Sequence, residues 1–560
     1  MSNQSAVIAA PSSATEGLLS KERIVARPGF NRWLVPPAAL AIHLCIGMAY
    51  GFSVFWLPLA KAIGIEQPRD CPKDMGFLSR MVATDCDWIV SELSWMYILF
   101  FVLLGCAAAI WGGWLERAGP RKAGVVSAVC WCGGLVISAI GIKTHQIWLM
   151  WLGSGVIGGI GLGLGYISPV STLIKWFPDR RGMATGMAIM GFGGGALIGS
   201  PLADMLMKHY ATATSVGAYE TFLTMAALYF VFMMAGAFGY RVPPSGWKPA
   251  GWTPPPASSN AMITQQHVHV KKVWGIPQFW LLWGALCLNV SAGIGVIGMA
   301  SPMLQEVFGG KLIGVDAGIK ALDATQLGLI ATIAAGFTGL LSLFNIGGRF
   351  FWASTSDYIG RKATYVVFFV LGFVLYASAP SAGSAGSIGL FVAIFCVIVS
   401  MYGGGFATIP AYLADLFGTQ MVGAIHGRLL TAWATAGILG PVVVTRMREY
   451  QLDLKMPPSQ VYNTTMYILA GMLVLGLLCN LLVRPVAQKH FMTPEELARE
   501  KALAHEKTGS NGEALYTPEQ MAQVGHGGNP VLVLAAWAAV GIPLAWGVWV
   551  TLQKAFVLFH

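Results

Sequence analysis

Residues 327–362 read LGLIATIAAGFTGLLSLFNIGGRFFWASTSDYIGRK: an apolar run, an arginine at position 349, then a charged exit from Asp357 to Arg361 and Lys362. Arg349 precedes Asp357 by eight residues. At about 1.5 Å of rise per residue that is roughly 12 Å inside the edge of a hydrocarbon core about 30 Å thick. A cation at that depth costs on the order of 2.5 kcal/mol or more unless it meets water or a partner. Asp204 and Glu92 are the only acids arguably within apolar runs, and both lie towards an end. The stretch predicts a membrane-crossing helix whose arginine holds an anion, with pairing to a buried acid as the structural alternative.

The whole chain agrees with a membrane reading. It has 560 residues, 55% hydrophobic and 11% charged, where a soluble domain carries about 25% charged residues. The net charge of +10 lies in short connections between apolar stretches rather than in a basic stripe with interleaved aromatics. It therefore sets orientation and does not suggest nucleic-acid binding. The first thirty residues are polar and small, with no secretory-type apolar core and cleavage site, so no signal peptide is expected. Of nine cysteines, seven fall in apolar runs at spacings that match no zinc or haem motif, and no metal or cofactor is expected.

Apolar runs long enough to cross a bilayer occur at 34–60, 91–113, 123–142, 147–176, 183–207 and 218–240, then at 277–304, 325–356, 363–380, 387–413, 421–446 and 462–483. A further run covers 531–552. This divides the chain into an N-terminal segment (1–33), a six-helix half (34–240), a Pro-rich linker (241–276), a second six-helix half (277–484), a polar tail (485–530) and an additional helix (531–552). Arg117, Arg121 and Lys122, Lys175, Arg180 and Arg181, and Arg361 and Lys362 share one side, which the positive-inside rule makes cytoplasmic. The N-terminus is then inside, and the odd thirteenth crossing puts His560 outside. Arg446, Arg448 and Lys455 read as an exception on an outer loop. Cys71 and Cys86 share the first outer loop, where a disulfide is plausible.

At an offset of about 240 residues the halves echo each other. Tyr166 and Pro169 answer to Phe406 and Pro410, Phe177 to Phe417, Pro201 to Pro441, and Glu116-Arg117-Ala118-Gly119 to Asp357-Tyr358-Ile359-Gly360. Parallel repeats of this kind put a site between the halves near midplane. The 69 glycines, as at Gly155 and Gly159, read as close helix packing. No Lys-Ser or Lys-Thr closes a glycine loop, so a phosphate cradle is not indicated.

The segment from Gly113 to Lys122, with its second copy from Gly348-Arg349 to Lys362, resembles the loop signature of the major facilitator superfamily. The run Gly161-Leu162-Gly163-Leu164-Gly165-Tyr166, Ser168-Pro169-Val170, Lys175-Trp176-Phe177-Pro178-Asp179-Arg180-Arg181-Gly182 and Gly191-Phe192-Gly193 is similar to the oxalate/formate antiporter branch. So is the second-half text from Tyr402 through Gly418 and from Ala432-Trp433 to Gly440-Pro441. The resemblance covers roughly 34–484. It implies an all-α polytopic protein with a major facilitator fold of two six-helix halves, to which this chain adds a C-terminal transmembrane helix.

The resemblance also implies that Arg349 grips a substrate carboxylate, which a guanidinium fork can meet bidentately without losing its proton. Tyr50, Tyr166, Tyr402 and Phe406 correspond to an aromatic cavity wall, with helix packing as the plain alternative. Trp433 stands where the oxalate exchanger has a second gripping lysine, which shifts the expected substrate towards a monocarboxylate such as formate or a small 2-oxo or hydroxy acid. Glu116, Arg117, Arg121 and Lys122, with Asp357, Arg361 and Lys362, imply a cytoplasmic charge lock; Glu116 replaces the usual Asp and Pro120 shifts the basic pair. His43 is a candidate proton carrier or a packing histidine. His426 and Trp433, seven apart, are expected on one helix face, and Arg428 is expected to pair with Asp415 or snorkel.

These readings converge on an inner-membrane secondary transporter of small carboxylate anions working by exchange, with a proton-coupled symporter as the alternative. A transporter-like nutrient sensor signalling through the tail and last helix is a reading of another class. No paired nucleophile and base or metal constellation suggests an enzyme. The expected partners are the anion, the bilayer and, through the tail, another protein.

Overall fold

In the computed structural model the described residues are 17–20, 22–65, 69–72, 74–244, 246–252, 262–506, 516–556 and 558. Among them, 13 helices are long and apolar enough to cross a membrane. Spans 1 to 6 are Arg32–Leu59, Val90–Gly112, Pro120–Lys143, Ile147–Trp176, Gly186–Tyr210 and Ala218–Gly239. Spans 7 to 12 are Pro277–Ile313, Ala324–Ile359, Arg361–Ser384, Ile388–Phe417, Val422–Asp453 and Pro458–Leu482, and span 13 is Pro530–Phe556. Two six-helix halves thus lie side by side with one helix added.

Local chemistry explains where the helices begin and end. Span 8 opens on a reciprocal cap: Asp323 accepts from the Gln326 N–H at 2.8 Å and Gln326 accepts from the Asp323 N–H at 3.0 Å, satisfying two donors that a helix start leaves orphaned. The repeated loops between spans 2 and 3 and between spans 8 and 9 turn on Gly119 (φ 83°) and Gly360 (φ 89°), a conformation that side chains resist. The next helix starts at the following residue in both halves, at Pro120 and Arg361. The halves meet where span 5 packs on span 8, span 2 on span 11, and span 1 on span 7. Span 1 carries a 3₁₀ stretch, Gly47–Phe55, of the kind that marks strain or a hinge.

Several helices outrun their apolar stretches. Span 11 continues to Asp453, so Arg448 is inside a helix and not on an outer loop. It is 9% exposed. Its guanidinium meets the carboxylate of Glu306, from Nε at 2.9 Å and from Nη2, and the Tyr462 hydroxyl donates to the same carboxylate at 2.6 Å. Glu306 is likewise in span 7, beyond the apolar run expected to end at 304. Pairing removes most of the penalty on each charge, which lets both helices extend. Span 11 is also two pieces, Val422–Leu429 and Thr431–Asp453, so His426 and Trp433 do not share one continuous helix.

The two ends of the bundle differ. At one, Cys71 and Cys86 form a disulfide with Cα atoms 5.0 Å apart. Asp87 beside them accepts three backbone N–H bonds, from Ile63, Gly64 and Arg69 at 2.7–2.9 Å. His145 stacks on Trp88 at 4.0 Å and its Nε2–H donates to the Cys86 carbonyl at 2.8 Å. At the other end, the linker and tail lie on the body. The Val268 N–H bonds Phe417 and the Met492 N–H bonds His267, while Lys272 pairs with Glu496 at 3.1 Å. Further on, the Gly525 N–H bonds Phe30 and the Trp247 indole bonds Val524.

Two outcomes follow. Glu306→Ala leaves the Arg448 cation buried and unpaired, and should cost roughly 3–5 kcal/mol, read as a fall in melting temperature of the purified protein; the double change with Arg448→Met should recover most of it. Burial pushes the His145 pKa below its ordinary 6.5, against the pull of the Cys86 carbonyl. The neutral ring is therefore favoured in the folded loop, and its stabilisation is complete above the unfolded value and declines as pH falls below it. Hydrogen exchange in the disulfide loop, corrected for intrinsic rates, should accelerate between about pH 7 and about pH 5, and His145→Phe should remove that dependence.

Candidate anion site

Arg349 sits on span 8 with no exposed surface. Its Nε–H donates to the Asn345 side-chain oxygen, one turn earlier, at 3.0 Å. Among the described residues its Nη1 and Nη2 have no hydrogen-bond partner, and no acid pairs with it. Across the seam span 5 presents Gly193, where a Cβ would come within 2.8 Å of Arg349 Nε and 2.9 Å of the Asn345 oxygen. Any side chain there would displace the arginine. The guanidinium is therefore held by one edge, and the hydroxyls of Tyr50 and Tyr166 lie beside its other nitrogens.

Aromatic rings from both halves close around it. The guanidinium carbon lies 5.7 Å from the Phe406 ring centre, and Phe406 packs on Trp433 at 4.4 Å. Trp433 in turn meets Tyr166 at 5.1 Å and Phe192 at 5.6 Å. Tyr50 lies 4.9 Å from Phe192, and its hydroxyl is 2.7 Å from that of Tyr402. Spans 1, 4 and 5 thus supply Tyr50, Tyr166 and Phe192, and spans 8, 10 and 11 supply Arg349, Tyr402, Phe406 and Trp433. The Tyr166 hydroxyl and the Trp433 indole N–H are buried without partners among the described residues. Buried donors are ordinarily satisfied, so two guanidinium nitrogens, an indole and a phenol gathered in one ring cluster mark this as the candidate site.

The six residues proposed from sequence for substrate contact therefore lie in one cluster. Phe192 and Asn345 complete it, and neither was singled out. Phe192 stands inside the quoted Gly191-Phe192-Gly193, and Asn345 is recognisable by its i, i+4 spacing to Arg349. His43 lies just behind, stacked on Tyr166 at 5.5 Å; its Nδ1 faces the Ala188 carbonyl and its Nε2 the Tyr166 carbonyl at 3.1 Å.

In the second-half loop the acid at the helix end meets the base on the next turn. Arg361 pairs with Asp357 and lies 3.7 Å from Asp415, so these groups tie spans 8, 9 and 10 of the second half together. Arg428 does not pair with Asp415: it donates to the Val270 carbonyl and lies 5.6 Å from the Trp274 ring. Lys362 donates to the carbonyls of Leu481 and Val483. Arg121 donates to those of Leu18 and Phe238, while Lys122 is exposed. The side chains of Glu116 and Arg117 lie outside the described residues.

Residues 75–441 match the sequence model of the Major Facilitator Superfamily. The chain belongs to that superfamily. It is 28% identical over 284 residues to the oxalate:formate antiporter of Oxalobacter formigenes, a match covering 51% of this chain and 59% of that protein, less than two thirds of its length. It is 24% identical over 460 residues to apicoplast pyruvate carrier 1 of Toxoplasma gondii, covering 69% of this chain and 78% of that one. Its fold is similar to the crystal structure of a D-xylose-proton symporter, with a TM-score of 0.56 at 14% identity over 81% of this chain and 97% of that chain. As a Major Facilitator transporter the protein carries its unpaired arginine at the seam between the two halves.

Asn345→Ala removes the bond that orients the guanidinium without removing the cation. Loss of one hydrogen bond to a charged group, about 1.5–3 kcal/mol, predicts roughly a tenfold or greater loss of apparent affinity for small carboxylates, measured by ligand-induced thermal shift on folded protein.

Proposed function

We propose that the protein is a secondary transporter of small carboxylate anions, monocarboxylates ahead of dicarboxylates, working by alternating access and exchange. The observation that carries this reading is the buried Arg349, with two unpartnered guanidinium nitrogens in an enclosure that both halves build. Because spans 1, 4 and 5 and spans 8, 10 and 11 each contribute walls, an anion held there is a contact that rocking of one half against the other would transfer from side to side. The relatives named for oxalate, formate and pyruvate support the carboxylate class.

Exchange follows from the charge. An empty carrier must keep a guanidinium in a low-dielectric enclosure while it closes on both sides, a state that an anion relieves. The loop charges support an orientation with the linker end cytoplasmic in the inner membrane we propose for it.

His43 supports a second reading, proton-coupled symport. Both its nitrogens face carbonyl oxygens, and a neutral imidazole has one N–H for two acceptors. A proton added there would satisfy both bonds.

The test is uptake of labelled formate, pyruvate, lactate or oxalate into proteoliposomes. Exchange predicts uptake that requires internal anion without a pH gradient; uptake only under an inward proton gradient selects symport. Arg349→Ala should abolish uptake while leaving the protein folded, and robust transport by that variant would sink the assignment. Trp433→Lys supplies a second cation and should raise oxalate uptake relative to formate.

A further inference from the structure

We propose that span 13 is a clamp on the seam between the halves, closing the disulfide end of the bundle and leaving the linker end free to open. The inference rests on the alternating-access reading above and concerns which state the carrier prefers.

Span 13 presents one narrow stripe to the body, Val540, Gly547, Thr551 and Ala555, and the rest of its surface is largely exposed. That stripe does not lie on one half. On the first half, Gly547 sits against span 5, where a Cβ would come within 2.9 Å of the Leu197 carbonyl and Ile198. Thr551 donates to the same Leu197 carbonyl at 3.4 Å, and Lys554 pairs with Asp204 at 3.0 Å. On the second half, span 8 offers Gly336 and Gly339. A Cβ on Gly336 would be 2.5 Å from Lys554, and one on Gly339 would be 2.4 Å from the Thr551 hydroxyl. Span 13 is thus wedged into a groove with span 5 as one wall and span 8 as the other.

The groove lies over the strongest polar stitching between the halves. Ser342 of span 8 donates to the Gly193 carbonyl at 2.5 Å and accepts from the Leu197 N–H at 3.1 Å, inserting its hydroxyl into the backbone ladder of span 5. Towards the disulfide end, Lys208 of span 5 bonds Asp204 at 3.1 Å, the Gly328 carbonyl of span 8 at 3.1 Å, and the Thr332 hydroxyl. Asp204, 5% exposed, therefore sits between a lysine that reaches the second half and a lysine that belongs to span 13.

At the linker end the attachment is one-sided. The Trp537 indole donates to the Trp33 carbonyl of span 1 at 3.1 Å, and the residues just before the helix bond the N-terminal segment, Gly525 N–H to Phe30 and Gly29 N–H to Gln523. Among the described residues, span 13 is thus tied to the first half at the linker end and to both halves at the disulfide end. If spans 5 and 8 part at the disulfide end, span 13 cannot follow both and must leave one wall. Parting at the linker end costs it nothing.

The test uses the full chain with Cys106, Cys130 and Cys479, the less buried free cysteines, changed to Ala. Spin labels go on the exposed positions Thr214 and Lys320, one on each half at the disulfide end, and double electron–electron resonance reads their separation in proteoliposomes. Three variants loosen the clamp: Lys554→Met, Thr551→Leu and Gly547→Leu. Each should raise the long-distance population by at least about threefold, with far-ultraviolet circular dichroism unchanged. Gly541→Leu, where a Cβ meets nothing within 4 Å, should leave the distribution as in the parent. An unchanged ratio in all three clamp variants overturns the proposal. Two populations in the parent whose ratio responds to added formate, with no response to the clamp variants, would leave the transport reading standing while the clamp falls.

Discussion

A fully buried guanidinium that no acid meets among the described residues is the constraint around which this protein is arranged. Removing such a group from water costs several kcal/mol even after relaxation. The chain offsets part of that with one neutral acceptor, Asn345, and with the negative face of the Phe406 ring, a contribution on the order of 1–2 kcal/mol in a desolvated setting. It stops short of supplying an acid. Asp204 lies at the disulfide end under two lysines and Glu306 is occupied by Arg448. Both of these acids are thus paired away from Arg349, which is the charge balance that the proposed anion role rests on.

The same constraint reaches the seam. Ser342, Asn345 and Arg349 are spaced i, i+3 and i+7 and share one face of span 8, all directed at the short stretch of span 5 from Gly193 to Leu197. The residue that holds charge and the residue that stitches the halves are two turns apart on one rigid helix. The thirteenth span leans on the same Leu197 carbonyl. Site and seam are mechanically one object.

Much of this was legible in the chain. Apolar runs near bilayer length give the spans, because backbone groups in lipid must be satisfied within each helix, and the Gly119/Gly360 register gave the repeat. Arg349 declared itself by its depth. What sequence reading missed is pairwise. Arg448 reads as loop in the sequence because the apolar run ends at 446, and only the fold brings Glu306 and Tyr462 to it. Phe192 and Asn345 are ordinary residue types whose importance comes from what faces them. The Asp357–Arg361 pair was legible from its i, i+4 spacing, whereas the approach of Asp415 from span 10 was not.

The indole at position 433 bears most directly on substrate charge. A second cation there would sit within the same ring cluster as Arg349, and two like charges close together in a medium of intermediate dielectric repel by roughly a few kcal/mol. Such a pair is tolerable only when a dianion lies between them. Trp433 instead contributes a neutral donor and a large apolar face, tilted against Phe406 and edge-to-face with Tyr166. One cation with a neutral indole and phenol balances one negative charge. A dianion in the same enclosure would leave a full uncompensated charge buried among aromatic rings, whereas a monoanion would leave none, and on that balance rests the proposal that monocarboxylates are taken ahead of dicarboxylates.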